Sequence, residues 1–274
     1  MRLKSKRFGR LLAVTATAAT AIAVIGPAAQ AAPLPGYEQF SGCPTKAEKA
    51  GTNLCQRSTI TGGHFLMGSK EVTIENPITL NAGYESATGF IYYNAEGGLA
   101  PVKQEIPGGI VGLTGLDWLL KFLDVDELKV YAITELAGTP KLTGGSLTLP
   151  IKVHLINPVL GKSCYVGSDT EPIALKLVTG TTAPPPPNEP ISGKAPVTKF
   201  DIKTGIVTSK EGIYVDNSFA APAAKGCTLT IGFIPVNIDA LVNLQSGLPS
   251  PAGTNETVQN FEVEQVVRTK VYGP

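Results

Sequence analysis

Between Ser146 and Asn157, apolar side chains recur at every second position. Leu147, Leu149, Ile151, Val153 and Leu155 fall on one face, and Ser146, Thr148, Lys152 and His154 fall on the other. A repeat of two matches the pleat of a β-strand and predicts one buried and one wet side. Pro150 has no N–H to donate, which predicts an edge position or a bulge at that point. The same alternation recurs elsewhere. Val72 and Ile74 alternate with Glu71, Thr73 and Glu75; Ile173, Leu175 and Leu177 share a face; Phe200, Ile202, Thr204 and Ile206 form another such series. Leu229, Ile231 and Phe233 follow, and then Phe261, Val263, Val267 and Val271 opposite Glu262, Glu264, Arg268 and Lys270. Phe90 to Tyr93 and Lys129 to Glu135 are less regular strand candidates. With 30 Gly and 22 Pro to make turns, one-sided strands of this kind predict an all-β chain: an antiparallel β-sandwich or a jelly-roll-like fold.

One or two short helices interrupt the pattern. Thr114-Gly115-Leu116-Asp117 resembles a capping box, and Leu116, Leu119, Leu120 and Leu123 follow at helical spacing. Asn237 is the expected cap of a second helix through Ile238, Leu241, Val242 and Leu244, stopped by Gly247 and Pro249. Residues 179–196, with prolines at 184 to 187, read as a Pro-rich surface loop within one domain; the rival reading is a stiff linker between two.

The N-terminus reads as an address. Arg2, Lys4, Lys6, Arg7 and Arg10 precede an apolar run from Leu11 to Ile25, then Gly26-Pro27 and the small-x-small site Ala29-Gln30-Ala31. That order predicts a secretory signal peptide over 1–31 and a mature chain over 32–274. No later run is apolar and long enough to span a bilayer of ~30 Å, so the expectation is a secreted, extracellular protein with no integral membrane segment after cleavage. Loose association with the cell envelope is the alternative. The four cysteines, Cys43, Cys55, Cys164 and Cys227, are an even count in an exported chain and predict two disulfides. Of three pairings, Cys43 with Cys55 and Cys164 with Cys227 is preferred, because the first two lie close together in the chain. A zinc site is not expected, since no C-x2-C spacing occurs and the chain has only two histidines, His64 and His154.

Loss of five basic residues with the signal leaves 18 Lys+Arg against 22 Asp+Glu, a net charge of −4, with Arg57 and Arg268 the only arginines. Such a surface is ill suited to phosphate backbones, and no nucleic acid is expected as partner.

No catalytic residues, metal or cofactor are expected. There is no G-x-S-x-G elbow; Gly144-Gly145-Ser146-Leu147 misses it, and His64 and His154 read as ordinary half-exposed histidines. Gly161-Lys162-Ser163 resembles the end of a P-loop, but Ile156 stands where the first glycine belongs. Asp124, Asp126 and Glu127 would suit calcium, yet Lys129 replaces the glycine an EF-hand needs. Tyr92, Tyr93 and Trp118 are the candidate ligand-binding residues, as a sugar-stacking platform, against the alternative that they are packing aromatics.

The segments Asn157-Pro158-Val159-Leu160-Gly161-Lys162-Ser163-Cys164-Tyr165-Val166-Gly167-Ser168, Pro172 to Thr182, Val215-Asp216-Asn217-Ser218-Phe219-Ala220 and Gly247 to Gly253 carry a resemblance. It is to a group of uncharacterised secreted β-rich proteins of actinobacteria, best over about residues 144 to 254. The resemblance implies export, one β-rich domain and paired cysteines, and supplies no catalytic residues. The functional expectation is a non-catalytic secreted protein acting in extracellular or cell-envelope interaction or structure, with a cell-wall or extracellular glycan or protein as partner. A glycan-binding module using exposed aromatics and a secreted hydrolase with dispersed carboxylates are the alternatives.

Overall fold

The computed structural model describes residues 31–118, 124–231 and 234–274. The expected signal segment up to Gln30 lies outside these residues, as do Leu119, Leu120, Leu123 and Phe233. Ala32–Pro274 forms one compact unit.

The first half of the chain contributes β1 (Leu54–Met67), β2 (Lys70–Thr73), β3 (Ile78–Tyr84), β4 (Ile91–Tyr92), β5 (Gly98–Leu99), β6 (Lys103–Ile106) and β7 (Val130–Leu136). Then come β8 (Lys141–Thr143), β9 (Ser146–Ile156), β10 (Tyr165–Val166), β11 (Ile173–Val178), β12 (Val197–Phe200) and β13 (Val207–Asp216). The last strands are β14 (Ala224–Lys225), β15 (Thr228–Ile231), β16 (Ile234–Asn237) and β17 (Glu256–Val267). Short helices are α1 (Gly109–Thr114), α2 (Val125–Leu128), α3 (Asp239–Ser246) and α4 (Arg268–Tyr272). The protein is all-β, as its alternation predicts, with every pairing antiparallel and β15–β16 a separate two-stranded ribbon.

The main sheet runs β14-β10-β9-β11-β13-β17-β1-β3-β4, and it curls until β4 meets β8, which pairs with β9. β8 and β7 lie along the second edge of β9, and β8 reaches β4 through the Phe90–Lys141 bridge. Two backbone bonds seal this seam: Ile91 N–H donates to the Pro140 carbonyl at 2.9 Å and Leu142 N–H to the Gly89 carbonyl at 2.8 Å. The two layers of the sandwich are therefore parts of one curled sheet.

Register makes the inside apolar. Ile60 of β1 stands opposite Phe261 of β17 and Ile78 of β3, and Leu147 of β9 stands opposite Leu177 of β11 and Leu142 of β8. A slip of one residue would turn each of these sets outward. Leu149, Ile151, Val153 and Leu155 are at most 7 % exposed, and Phe65, Met67 and Val72 pack on the same core from across the curl. Each such side chain contributes about 1.5–3 kcal/mol by leaving water. A smaller cluster of Phe40, Cys43, Cys55, Val266 and Val271 sits on another face.

Several local expectations need correction. β9 is not an edge strand: β11 flanks it on one side, and β7 and β8 on the other. Pro150 is tolerated because it falls in the gap between β8 and β7, where its carbonyl accepts from Ala137 N–H at 3.0 Å. Phe200 is 63 % and Ile202 86 % exposed, and the chain turns at 201–204, so that series is half strand, half turn. Beyond Val267 the strand gives way to α4, which buries Val271. Most of the helix expected after Thr114 falls outside the described residues, and Thr114 Oγ1 accepts the Leu116 N–H at 3.3 Å. Thr114 ends α1, donating from Oγ1 to the Ile110 carbonyl at 2.7 Å, and Gly115 closes the helix in a left-handed conformation. At α3 the N-cap position is Ile238, while Asn237 accepts the Asp239 N–H at 3.0 Å one step earlier. Asp124 and Glu127 form the capping box of α2, which accounts for the acidic stretch there.

Both expected disulfides are present, Cys43–Cys55 and Cys164–Cys227, 12 and 63 residues apart. They fit an oxidising, extracellular compartment. No helix among the described residues is long and apolar enough to cross a membrane.

Candidate ligand cavity

The curl leaves space inside. A first chamber of about 90 Å³ is walled by Phe65, Val72, Ile106, Leu155 and Leu175 among others, and a second of about 240 Å³ by Leu80, Ile91, Leu147, Leu177 and Phe261 among others. Ile60, Ile78, Leu99, Leu149 and Gln259 line both, so the chambers share a wall at this waist. A water molecule needs roughly 10–15 Å³ of such space. Interiors otherwise pack like organic crystals, with few voids larger than water. At about 24 cal/mol per Å³, an empty first chamber alone costs on the order of 2 kcal/mol.

Polar groups interrupt the apolar lining at defined places. Gln259 is 4 % exposed and on the inner face of β17. Its Nε2 donates to Thr257 Oγ1 at 3.1 Å, and that hydroxyl donates in turn to the His64 carbonyl at 3.0 Å. This relay fixes the amide orientation and leaves Gln259 Oε1 with no protein donor. Ser246, the last residue of α3, lines the first chamber, and its buried Oγ likewise has no partner. Lys70 also lines the first chamber, on the same face of its hairpin as Met67 and Val72. It forms no ion pair among the described residues.

The hairpin that carries Lys70 is pinned to α3. Gly68 N–H donates to Asn255 Oδ1 at 2.9 Å, Ser69 N–H to the Ser246 carbonyl at 2.8 Å, and Ser69 Oγ to the Gln245 carbonyl at 3.0 Å. Gly68 is needed here. Its φ is +60°, and a Cβ would lie 2.1 Å from the Ser246 carbonyl oxygen. Lys70 and Ser246 are thereby held at the same end of the first chamber.

The second chamber is more polar at Gln56, Ser58, Thr179, Ser209 and Gln265. Gln265 Nε2 donates to Gln56 Oε1 at 3.1 Å. Tyr214 stacks on Phe261 with ring centres 3.9 Å apart, and burial pushes its phenol pKa up, so it stays neutral at ordinary pH. Neither chamber is lined by a carboxylate. The buried Asp216 lines neither. Its oxygens accept the N–H groups of Lys176 and Ser218, which lower its pKa, but burial outweighs them and raises it.

The residues singled out from sequence lie elsewhere. Tyr92 is the last residue of β4 and Tyr93 follows it outside the strand. The Tyr92 ring lies under Lys49 Nζ at 3.9 Å and tilts against Phe90, while Tyr93 is 47 % exposed beside Gly98. Trp118 is 42 % exposed, and none of the three lines either chamber. His154 lies on the outer face of β9, stacked on Tyr165 at 4.2 Å, with Nε2 donating to the Lys162 carbonyl at 3.0 Å. Lys152 beside it bonds Asp169 at 2.8 Å, and that bond raises its pKa. His64 pairs with Glu256 at 3.2 Å. No group of three or more metal-ligating side chains is present among the described residues.

Lys70, Ser246 and Gln259 were legible only as anomalies of pattern. Thr257, Gln259 and Gln265 are polar residues on the same strand face as Phe261 and Val263, and Lys70 is a charge in register with Val72. No family model matches the chain, and no curated protein or solved structure matches it.

Proposed function

We propose that this is an exported, non-catalytic binding protein that holds an apolar small molecule inside its curled sheet. The observation that carries the reading is the pair of adjoining chambers, walled by aliphatic side chains and dotted with a few buried polar groups. Ligand sites are commonly built in this way, as mostly apolar concavities with a small number of placed polar atoms. The outer face of the sheet, with Lys152, His154, Lys210, Glu262 and Glu264, is polar and partly or fully exposed, as suits a protein free in the medium or loosely held at the envelope. The glycan reading draws less support, because the Tyr92 ring is already packed against Lys49 and Phe90. The hydrolase reading lacks an acid in either chamber.

The test is saturable, one-to-one binding of a neutral apolar fluorophore by the oxidised, secreted protein. Ala132 lines the first chamber, and Ala132→Leu extends a side chain into it. Weaker probe binding at unchanged melting temperature is expected. Absence of saturable binding by the native protein, or indifference to Ala132→Leu, refutes the proposal.

A further inference from the structure

Resting on that reading, we infer that the two adjoining chambers together take an acyl chain ending in a carboxylate, with the chain across the shared waist and the carboxylate held in the first chamber by Lys70 and Ser246. Three observations converge on one end of the chamber. Lys70 is a cation on the apolar face of its hairpin with no ion-pair partner among the described residues. Ser246 is 4 % exposed and its hydroxyl has no partner, which is costly unless a polar group arrives to meet it. The Ser69–Ser246 backbone bond of 2.8 Å ties the two elements together. From that end the lining is aliphatic through Met67, Leu113 and Leu248 to the waist at Ile60, Ile78 and Leu149.

The chemistry selects an anion. An ammonium beside an apolar cavity binds a carboxylate through a charge-assisted hydrogen bond, roughly twice as strong as a neutral one. A hydroxyl is the natural second donor to the other carboxylate oxygen. A phosphate head would place a bulkier, more highly charged group against a single lysine, whereas a single carboxylate matches one cation and one hydroxyl. A neutral lipid would leave the ammonium without a counter-charge in the chamber wall.

The experiment compares oleate with oleyl alcohol, which share a chain and differ at the head, in displacement of the bound fluorophore from the full secreted protein. Oleate is expected to bind about tenfold more tightly. Lys70→Met should abolish that preference by weakening oleate alone, and Lys70→Arg should retain it. Equal affinity for acid and alcohol in the native protein, or a preference that survives in Lys70→Met, overturns the headgroup assignment while leaving the cavity reading intact. Binding of neither ligand overturns both. Lys70 is only half-buried in a surface hairpin, and loss of preference in Lys70→Met with unchanged alcohol affinity distinguishes a lost charge from misfolding.

Discussion

Replacing Gln259 by Met should stabilise the unliganded protein. The Gln259 side chain makes one neutral hydrogen bond, from Nε2 to Thr257 Oγ1, and leaves Oε1 without a protein donor in a buried position. Losing the bond costs about 0.5–1.5 kcal/mol, and relieving the unsatisfied acceptor gains about 1–3 kcal/mol. Thr257 keeps its own bond to the His64 carbonyl, so no second group is orphaned. Met matches glutamine in length and adapts to irregular space between Ile60, Ile78, Leu99 and Leu149. The net expectation is a gain of about 1 kcal/mol, which for a domain of this size raises the melting temperature by roughly 2–4 °C. Urea and thermal denaturation of the disulfide-intact protein, without ligand, measure it. A loss of more than about 1 kcal/mol would show that Oε1 is already satisfied in the folded protein, and the argument from an orphaned acceptor would fall.

Two further outcomes follow from the geometry. Removing the Cys164–Cys227 bridge, which spans 63 residues, should cost about 4 kcal/mol, against about 3 kcal/mol for the 12-residue Cys43–Cys55 bridge; denaturant midpoints of the paired Cys→Ala variants in the opposite order would contradict the loop-closure account. Tyr272 donates from its hydroxyl to the Cys43 carbonyl at 2.7 Å, and burial, with Glu48 and Glu96 adding to it, pushes its pKa from 10.0 up to about 12. Its contribution is therefore complete below pH 10 and is lost as pH rises toward 12, because the unfolded chain releases that proton first. Discounted for the partial exposure of the ring, this amounts to about 1 kcal/mol. Tyr272→Phe should flatten the fall in stability over that window, and an unchanged alkaline slope would exclude Tyr272 as its source.

The strand faces were readable because side-chain direction in a strand depends only on parity. The alternation in Leu147 to Leu155 needs no partner to be recognised, and neither does the even cysteine count. Failures came where a partner decides the outcome. Pro150 reads as an edge or bulge position by its missing N–H, and it sits in a central strand at the gap that β7 and β8 leave on one side. Phe200 and Ile202 continue an apolar series, but β12 pairs only with β13 and is exposed along its whole length, and Ile202 lies in the turn after it.

Sequence by itself determined which side of most strands avoids water, that the cysteines are oxidised and that the chain is built from antiparallel β-structure. Each is set by neighbours within a few residues or by the identity of one side chain. The tertiary structure alone decided that the sheet curls until β8 meets β4, and hence that the apolar faces surround a void. A cavity is the space left over when distant segments stop short of contact, and no local pattern encodes that remainder. The same closure converts Lys70, Ser246 and Gln259, which are 176 or more positions apart between the first and the other two, from exceptions in their own segments into polar groups of one chamber.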